Sequence, residues 1–181
     1  MKLICALFLA LALSADAADF DLAAKATNQL GVDLYHQLAA GDTNLCLSPY
    51  SIETALAMTF AGAEGDTRTQ MARVLHFPTD ADAPHASFAA LQSSLGEMSK
   101  KTAQIAEQSK NRSGPSEPIT LSIANRLFAQ SGYDFRQPFV DLVKKFYGAP
   151  FETLDFRKDP EAARAYINKW VADQTREKST T

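Results

Sequence analysis

The chain has 181 residues, a length that suits about one domain of the usual ~100–200 residues. Its 46% hydrophobic and 22% charged residues, with only 8 Gly and 8 Pro, exclude wholesale disorder, collagen and low-complexity repeats. Eighteen basic against 21 acidic side chains leave a formal charge of −3 and no overall drive toward nucleic acid or anionic membrane, and 2 Cys with 3 His exclude a multi-cysteine zinc module or a disulfide scaffold.

Residues 1–17 read as a secretory signal peptide: Lys2 is the positive end, Leu3 to Leu13 the apolar stretch, and Ala15-Asp16-Ala17 the small-x-small cleavage site. A spanning helix needs ~20 apolar residues, and Ser14 to Asp21 is too polar to extend this one. The mature protein, residues 18–181, is therefore expected to be soluble and exported, to the extracellular space or, in a bacterium, the periplasm. Cleavage removes Cys5 and leaves Cys46 alone, so no internal disulfide can form. In Leu45-Cys46-Leu47 the thiol reads as a small buried hydrophobe, with a redox or intermolecular role as the other reading.

Phe20 to Leu38 has helical three-four spacing in Phe20, Ala23, Ala24, Thr27, Leu30, Leu34 and Leu38. After a turn at Gly41-Asp42 and a short extended piece at Leu45–Leu47, Ser48 as N-cap and Pro49 as first residue open a second helix. Its expected inward face is Ile52, Ala55, Leu56, Thr59 and Phe60. Thr67-Arg68-Thr69-Gln70 has the capping-box form and predicts a third helix carrying Met71, Val74 and Leu75, stopped by Pro78. A fourth helix places Phe88, Leu91, Leu95 and Met98 on one stripe and ends at Ser99-Lys100-Lys101.

Residues 102–118, rich in Gln, Ser, Lys and Asn, predict an exposed loop. Within it Asn111-Arg112-Ser113 is an N-glycosylation sequon, modified in a eukaryotic secreted protein and otherwise a plain polar triplet. Residues 119–128 alternate with period two and predict a strand. Gln137 to Tyr147 returns to helix with Phe139, Leu142, Val143 and Phe146 inward, and Pro150 to Phe156 reads as a second strand. Asp159-Pro160-Glu161 starts a last helix whose stripe is Ala163, Tyr166, Ile167, Trp170, Val171 and Gln174. Helices first and then strand-helix-strand-helix is an α+β plan, and two strands cannot form a sheet that buries both faces, so the chain reads as part of a larger fold.

Motifs of chemistry are missing. The nearest approach to a nucleophile elbow, Gly114-Pro115-Ser116-Glu117-Pro118, lacks the second glycine, and Gly62 and Gly65 are turn residues rather than a phosphate loop. His36, His76 and His85 have no metal-ligand spacing, and His36 and His76 read as surface or cap residues. Glu152 and Asp155, and the pairs Lys100-Lys101 and Lys144-Lys145, are explained as well by solvated faces as by function. The residues by themselves point to no enzyme, no metal and no cofactor.

Five stretches, taken together, resemble the serpin family. They are Asn44 to Met58; Gly62 to Met71 running on to Val74-Leu75-His76-Phe77; Ile123 to Phe128; Phe139 to Tyr147 followed by Glu152 to Phe156; and Ile167 to Val171 with Thr175 and Lys178. Their order and spacing match the family over essentially residues 20–178, near the N-terminal half of its length. The resemblance implies an α+β fold with helices packed around a large central mixed sheet. It also implies a secreted inhibitor of serine proteases, with cysteine proteases as a second target class. In that mechanism an exposed reactive loop is cleaved and inserts into the central sheet. No part of residues 18–181 matches that loop, so this chain alone is expected not to inhibit. The alternative is a non-inhibitory serpin-fold carrier, chaperone or interaction protein. Ser48 and Ser51 match the serines of the family's shutter region, where hydroxyls gate opening of the sheet, and equally suit a plain helix cap. Trp170 matches the position from which the overlying helix packs on the sheet. Lys100 and Lys101 are the only cations the fourth helix offers where heparin-activated members are rich in Lys and Arg, which argues against heparin activation. No nucleic-acid or membrane partner is implied.

Overall fold

The computed structural model describes residues 20–39, 44–78, 82–109, 118, 123–148 and 151–175. The signal-peptide stretch 1–17, the turn at Gly41-Asp42 and the sequon at Asn111 lie outside them. The elements run α1 (Asp21–Leu38), α2 (Pro49–Phe60), α3 (Gly65–Val74), α4 (Ala83–Ser109), β1 (Phe128–Gln130), α5 (Gln137–Tyr147), β2 (Glu152–Leu154) and α6 (Pro160–Thr175).

Local chemistry fixes several of these boundaries. Pro49 is the first residue of α2, and the Ser48 side chain accepts the Ser51 N–H at 3.4 Å. The Asp159 carboxylate accepts the Ala162 N–H at 2.9 Å ahead of α6. At the end of α5, Gly148 takes a left-handed φ of 57°, behind Lys144 and Lys145 in the last turn. The start of α1 is different. Its N-cap, Phe20, makes no side-chain cap, and the Ala23 N–H is instead taken by the Ser87 hydroxyl of α4 at 2.9 Å.

The core sits where α1, α2, α4 and α5 converge, with the end of α3 closing one side. Ala23, Ala26 and Leu30 meet Ala57, Met58 and Phe60, with Leu75, Phe77, Phe88, Val143 and Tyr147 completing the cluster. Full burial of side chains such as Met58, Phe60, Leu75 and Phe88 contributes about 1.5–3 kcal/mol each. Small residues let α1 come close. A Cβ on Gly31 would stand 2.9 Å from Pro49 Cγ, so glycine is what permits α1 to lie against the first turn of α2. Beside this core, β1 and β2 pair in parallel, Phe128 with Glu152, Ala129 with Thr153 and Gln130 with Leu154, with α5 as the crossover.

Several sequence expectations need correction. The buried face of α2 is Glu53, Thr54, Ala57, Met58 and Phe60, while Ile52 and Leu56 are 37% exposed. The helix is turned so that Glu53 and Thr54 are buried beside Ala57, Met58 and Phe60. Helix α3 begins at Gly65, two residues before the capping-box threonine, and its N-cap Glu64 makes no side-chain bond. Helix α4 continues through residues 102–109 instead of stopping at Lys101. That stretch holds Ala, Gln, Glu and Ile without Gly or Pro, and Ala106 is buried. Residues 119–122 lie outside the described residues, and of the predicted strand 119–128 only Phe128 enters the ladder, which runs on to Gln130. Because β2 is three residues long, it offers partners to no more. Cys46 is exposed rather than buried. Of its apolar neighbours Leu47 turns into a groove between α1 and α2, whereas Leu45 is 39% exposed.

Candidate functional site

The stretch entering β1 is gripped on both faces. Successive residues of an extended chain point to opposite sides, and the contacts of Asn125 and Arg126 follow that rule. The Ser51 hydroxyl, in the first turn of α2, donates to Asn125 Oδ1 at 3.0 Å. Asn125 Nδ2 is buried without a hydrogen-bond partner among the described residues. Leu127, on the same side, packs against the helical core.

On the other side, Arg126 reaches across to β2, its guanidinium 2.6 Å from the Glu152 carboxylate. The same guanidinium lies over the Trp170 ring of α6 at 4.7 Å, a cation–π contact. Trp170 and Tyr166 meet Phe128 edge-on, with ring centroids 5.6 and 6.4 Å apart. The Tyr166 hydroxyl donates to the other Glu152 oxygen. That hydrogen bond, and the neighbouring carboxylate's charge, raise the Tyr166 pKa above its ordinary value. Arg126, Phe128 and Glu152 thus form one polar and aromatic seat on which α6 rests.

The structure therefore separates the two serines. Ser48 is exposed and acts as the cap of α2. Ser51 is half-buried and joins α2 to the strand entry. Trp170 meets Phe128 of β1 and lies under the Arg126 guanidinium. Sequence reasoning did not single out Asn125 or Arg126, and it weighed Glu152 only beside Asp155, as explained equally well by a solvated face. The signal that could have found the first two is a polar side chain between apolar neighbours in its own row, Asn125 between Ile123 and Leu127 and Arg126 between Ala124 and Phe128.

The arrangement sets a hydroxyl–amide hydrogen bond on one face of the strand entry and an aromatic–cation contact on the other. Among the described residues, no group of three or more His, Cys, Asp or Glu is placed to hold a metal ion, and no helix is long and apolar enough to cross a membrane.

Comparison with known proteins places this geometry in context. The family profile described as Serpin (serine protease inhibitor) matches residues 25–181. An uncharacterized serpin-like protein of Thermococcus kodakarensis is 39% identical over 150 residues, covering 83% of this chain and 32% of the relative. A leukocyte elastase inhibitor of Bos taurus is 37% identical over 152 residues, 83% of this chain and 35% of the relative. Among solved structures, ovalbumin from emu superposes with a TM-score of 0.65 at 26% identity, over 87% of this chain and 40% of that one. The chain spans about a third of the length of the curated relatives it matches.

Proposed function

The chain belongs to the serpin family, and on that premise we propose that it contributes the sheet-gating part of a secreted serine protease inhibitor. Inhibition would follow the family mechanism. A protease cleaves an exposed reactive loop, the acyl-enzyme forms, and the loop enters the central sheet as a new strand. The residues described here would not touch the protease. Their role would be to hold the sheet closed and to let it open.

The observation that carries this reading is the Ser51–Asn125 hydrogen bond, on the opposite face of the strand entry from the Arg126–Trp170 contact. A sheet that admits a strand must shift against the helices on its faces. A single neutral hydrogen bond contributes only about 0.5–1.5 kcal/mol net, enough to favour the closed arrangement and small enough to yield. Elastase inhibitors among the relatives support serine proteases as the target class, with cysteine proteases as a second class. The leader at 1–17 and the sequon at Asn111 support export and glycosylation. The protein would act without enzymatic activity, cofactor or heparin.

The test is a covalent-complex assay of the full-length protein against a panel of serine and cysteine proteases. An SDS-stable complex with a serine protease is the expected result. Cleavage by every protease without any complex would favour the non-inhibitory reading, a serpin-fold carrier, chaperone or interaction protein.

A further inference from the structure

Glu53 on α2, His85 on α4 and Tyr147 on α5 bring ionisable groups into the helical core, and the gating role uses none of them. Glu53 and His85 are fully buried and Tyr147 is 6% exposed. His85 Nδ1 shares a 2.7 Å hydrogen bond with the Tyr147 hydroxyl, and the rings of Phe60 and Phe146 lie 6.1 and 6.2 Å from the imidazole. Both Glu53 oxygens, His85 Nε2 and the Thr27 hydroxyl of α1 have no hydrogen-bond partner among the described residues. A carboxylate or an imidazolium enclosed this way, with no counter-ion bonded to it, is strongly disfavoured against its neutral form.

We propose that Glu53 and His85 form a proton-compensated pair: enclosed in the core without counter-ions, both are neutral in the folded protein across mildly acidic pH, so that their own contributions to the pH dependence of stability cancel. The charged and titratable groups around them do not reverse this. Glu53 faces Thr27 from α1, His76 from the turn after α3, and Tyr147 from α5. His76 is itself held by Asp33 of α1 at 2.8 Å. His85 faces Asp82 at the start of its own helix, Arg68 of α3 and Tyr147.

Burial pushes Glu53 up to about 7, and the nearby Thr27 hydroxyl, which stands outside hydrogen-bond geometry, and His76 offset only part of it. Burial pushes His85 down to about 4, against the pull of Asp82 and with the help of Arg68. Burial above all, then the Tyr50 phenol and the Glu53 carboxyl, keeps Tyr147 protonated throughout. The signs oppose each other. A carboxyl raised from 4.5 to about 7 loses stability as pH rises through that interval. An imidazole lowered from 6.5 to about 4 gains stability as pH rises through its own. Between 4.5 and 6.5 the two slopes overlap and cancel.

The test measures denaturation midpoints of the full-length protein and its Glu53→Gln and His85→Asn variants from about pH 4 to about pH 8, a range that spans both transitions. Changes are read against the unsubstituted protein between 4.5 and 6.5, where the pair itself contributes no slope. Glu53→Gln should lose on the order of 100-fold in its folding constant on acidification across those two pH units, one proton per unit. His85→Asn should gain by a similar factor over the same interval. Carbon-labelled imidazole resonances of the unsubstituted protein give a direct second readout, with His85 neutral at about pH 5. Profiles of the two variants parallel to that of the unsubstituted protein would overturn the proposal. So would a His85 that protonates at the ordinary histidine value, and this titration decides the matter alone if a variant does not fold.

Discussion

Ser87 on α4 accepts the backbone N–H of Ala23 at 2.9 Å, across 64 residues of sequence, and so caps a helix whose own N-cap position holds Phe20. The first N–H groups of a helix have no partner within it. Here the cap arrives from a neighbouring helix, and it docks α4 on α1 as it satisfies the end. Ser87→Ala should cost about 1–2 kcal/mol, since it leaves a buried donor unpaired. The denaturation midpoint checks it, and Ser87→Thr should recover part of the loss by restoring the acceptor.

Ser48 and Ser51 should separate in a double-mutant cycle with Asn125→Ala. Ser51→Ala removes the donor to Asn125 and should couple to it by about 1 kcal/mol. Ser48→Ala loses a cap and should cost about 0.5–2 kcal/mol on its own while adding independently. If the full-length protein inhibits as proposed, Ser51→Ala should also speed the spontaneous, protease-independent insertion of the loop, measured as loss of inhibitory titre on warming. An unchanged rate would mean that the Ser51–Asn125 bond does not gate the sheet.

Trp170 contributes through Arg126 as well as through packing. Trp170→Ala should destabilise by about 2 kcal/mol or more, from lost aromatic contact with Phe128 and the lost cation–π contact. Trp170→Phe keeps a ring and should retain most of the stability. With Arg126→Met, which removes the charge but keeps a long stem, the Trp170 substitutions should cost less, and equal costs in both backgrounds would refute the cation–π contribution.

The mature N-terminus is expected at Ala18 or Asp19, following the Ala15-Asp16-Ala17 site. Mass spectrometry of the intact secreted protein checks it, and a secreted product retaining Met1 contradicts it.

In a eukaryotic host Asn111 should carry an N-glycan, because it heads the sequon Asn111-Arg112-Ser113. Wild type should shift to lower mass on glycosidase treatment and Asn111→Gln should not. A wild type indifferent to the enzyme rules the modification out.

Sequence alone determined what depends on neighbours along the chain. Helix α5 spans Gln137–Tyr147 as the spacing of Phe139, Leu142, Val143 and Phe146 predicts, and α2 and α6 start where Ser48-Pro49 and Asp159-Pro160 set them. The period-two alternation around Asn125 and Arg126 was legible too, as was the family that contains these stretches. Tertiary structure decided which face of each element is inside, because that depends on groups far away in sequence. Apolar spacing favoured Ile52 and Leu56 for the inner face of α2, but Glu53, Thr54 and Met58 are buried while Ile52 and Leu56 are exposed. Periodicity counts a glutamate and a histidine as surface, so it missed Glu53 and His85, whose burial disfavours their charged forms. The length of β1 was likewise settled by its partner, since a strand extends only as far as a neighbour supplies hydrogen bonds, and Glu152–Leu154 supplies three residues' worth.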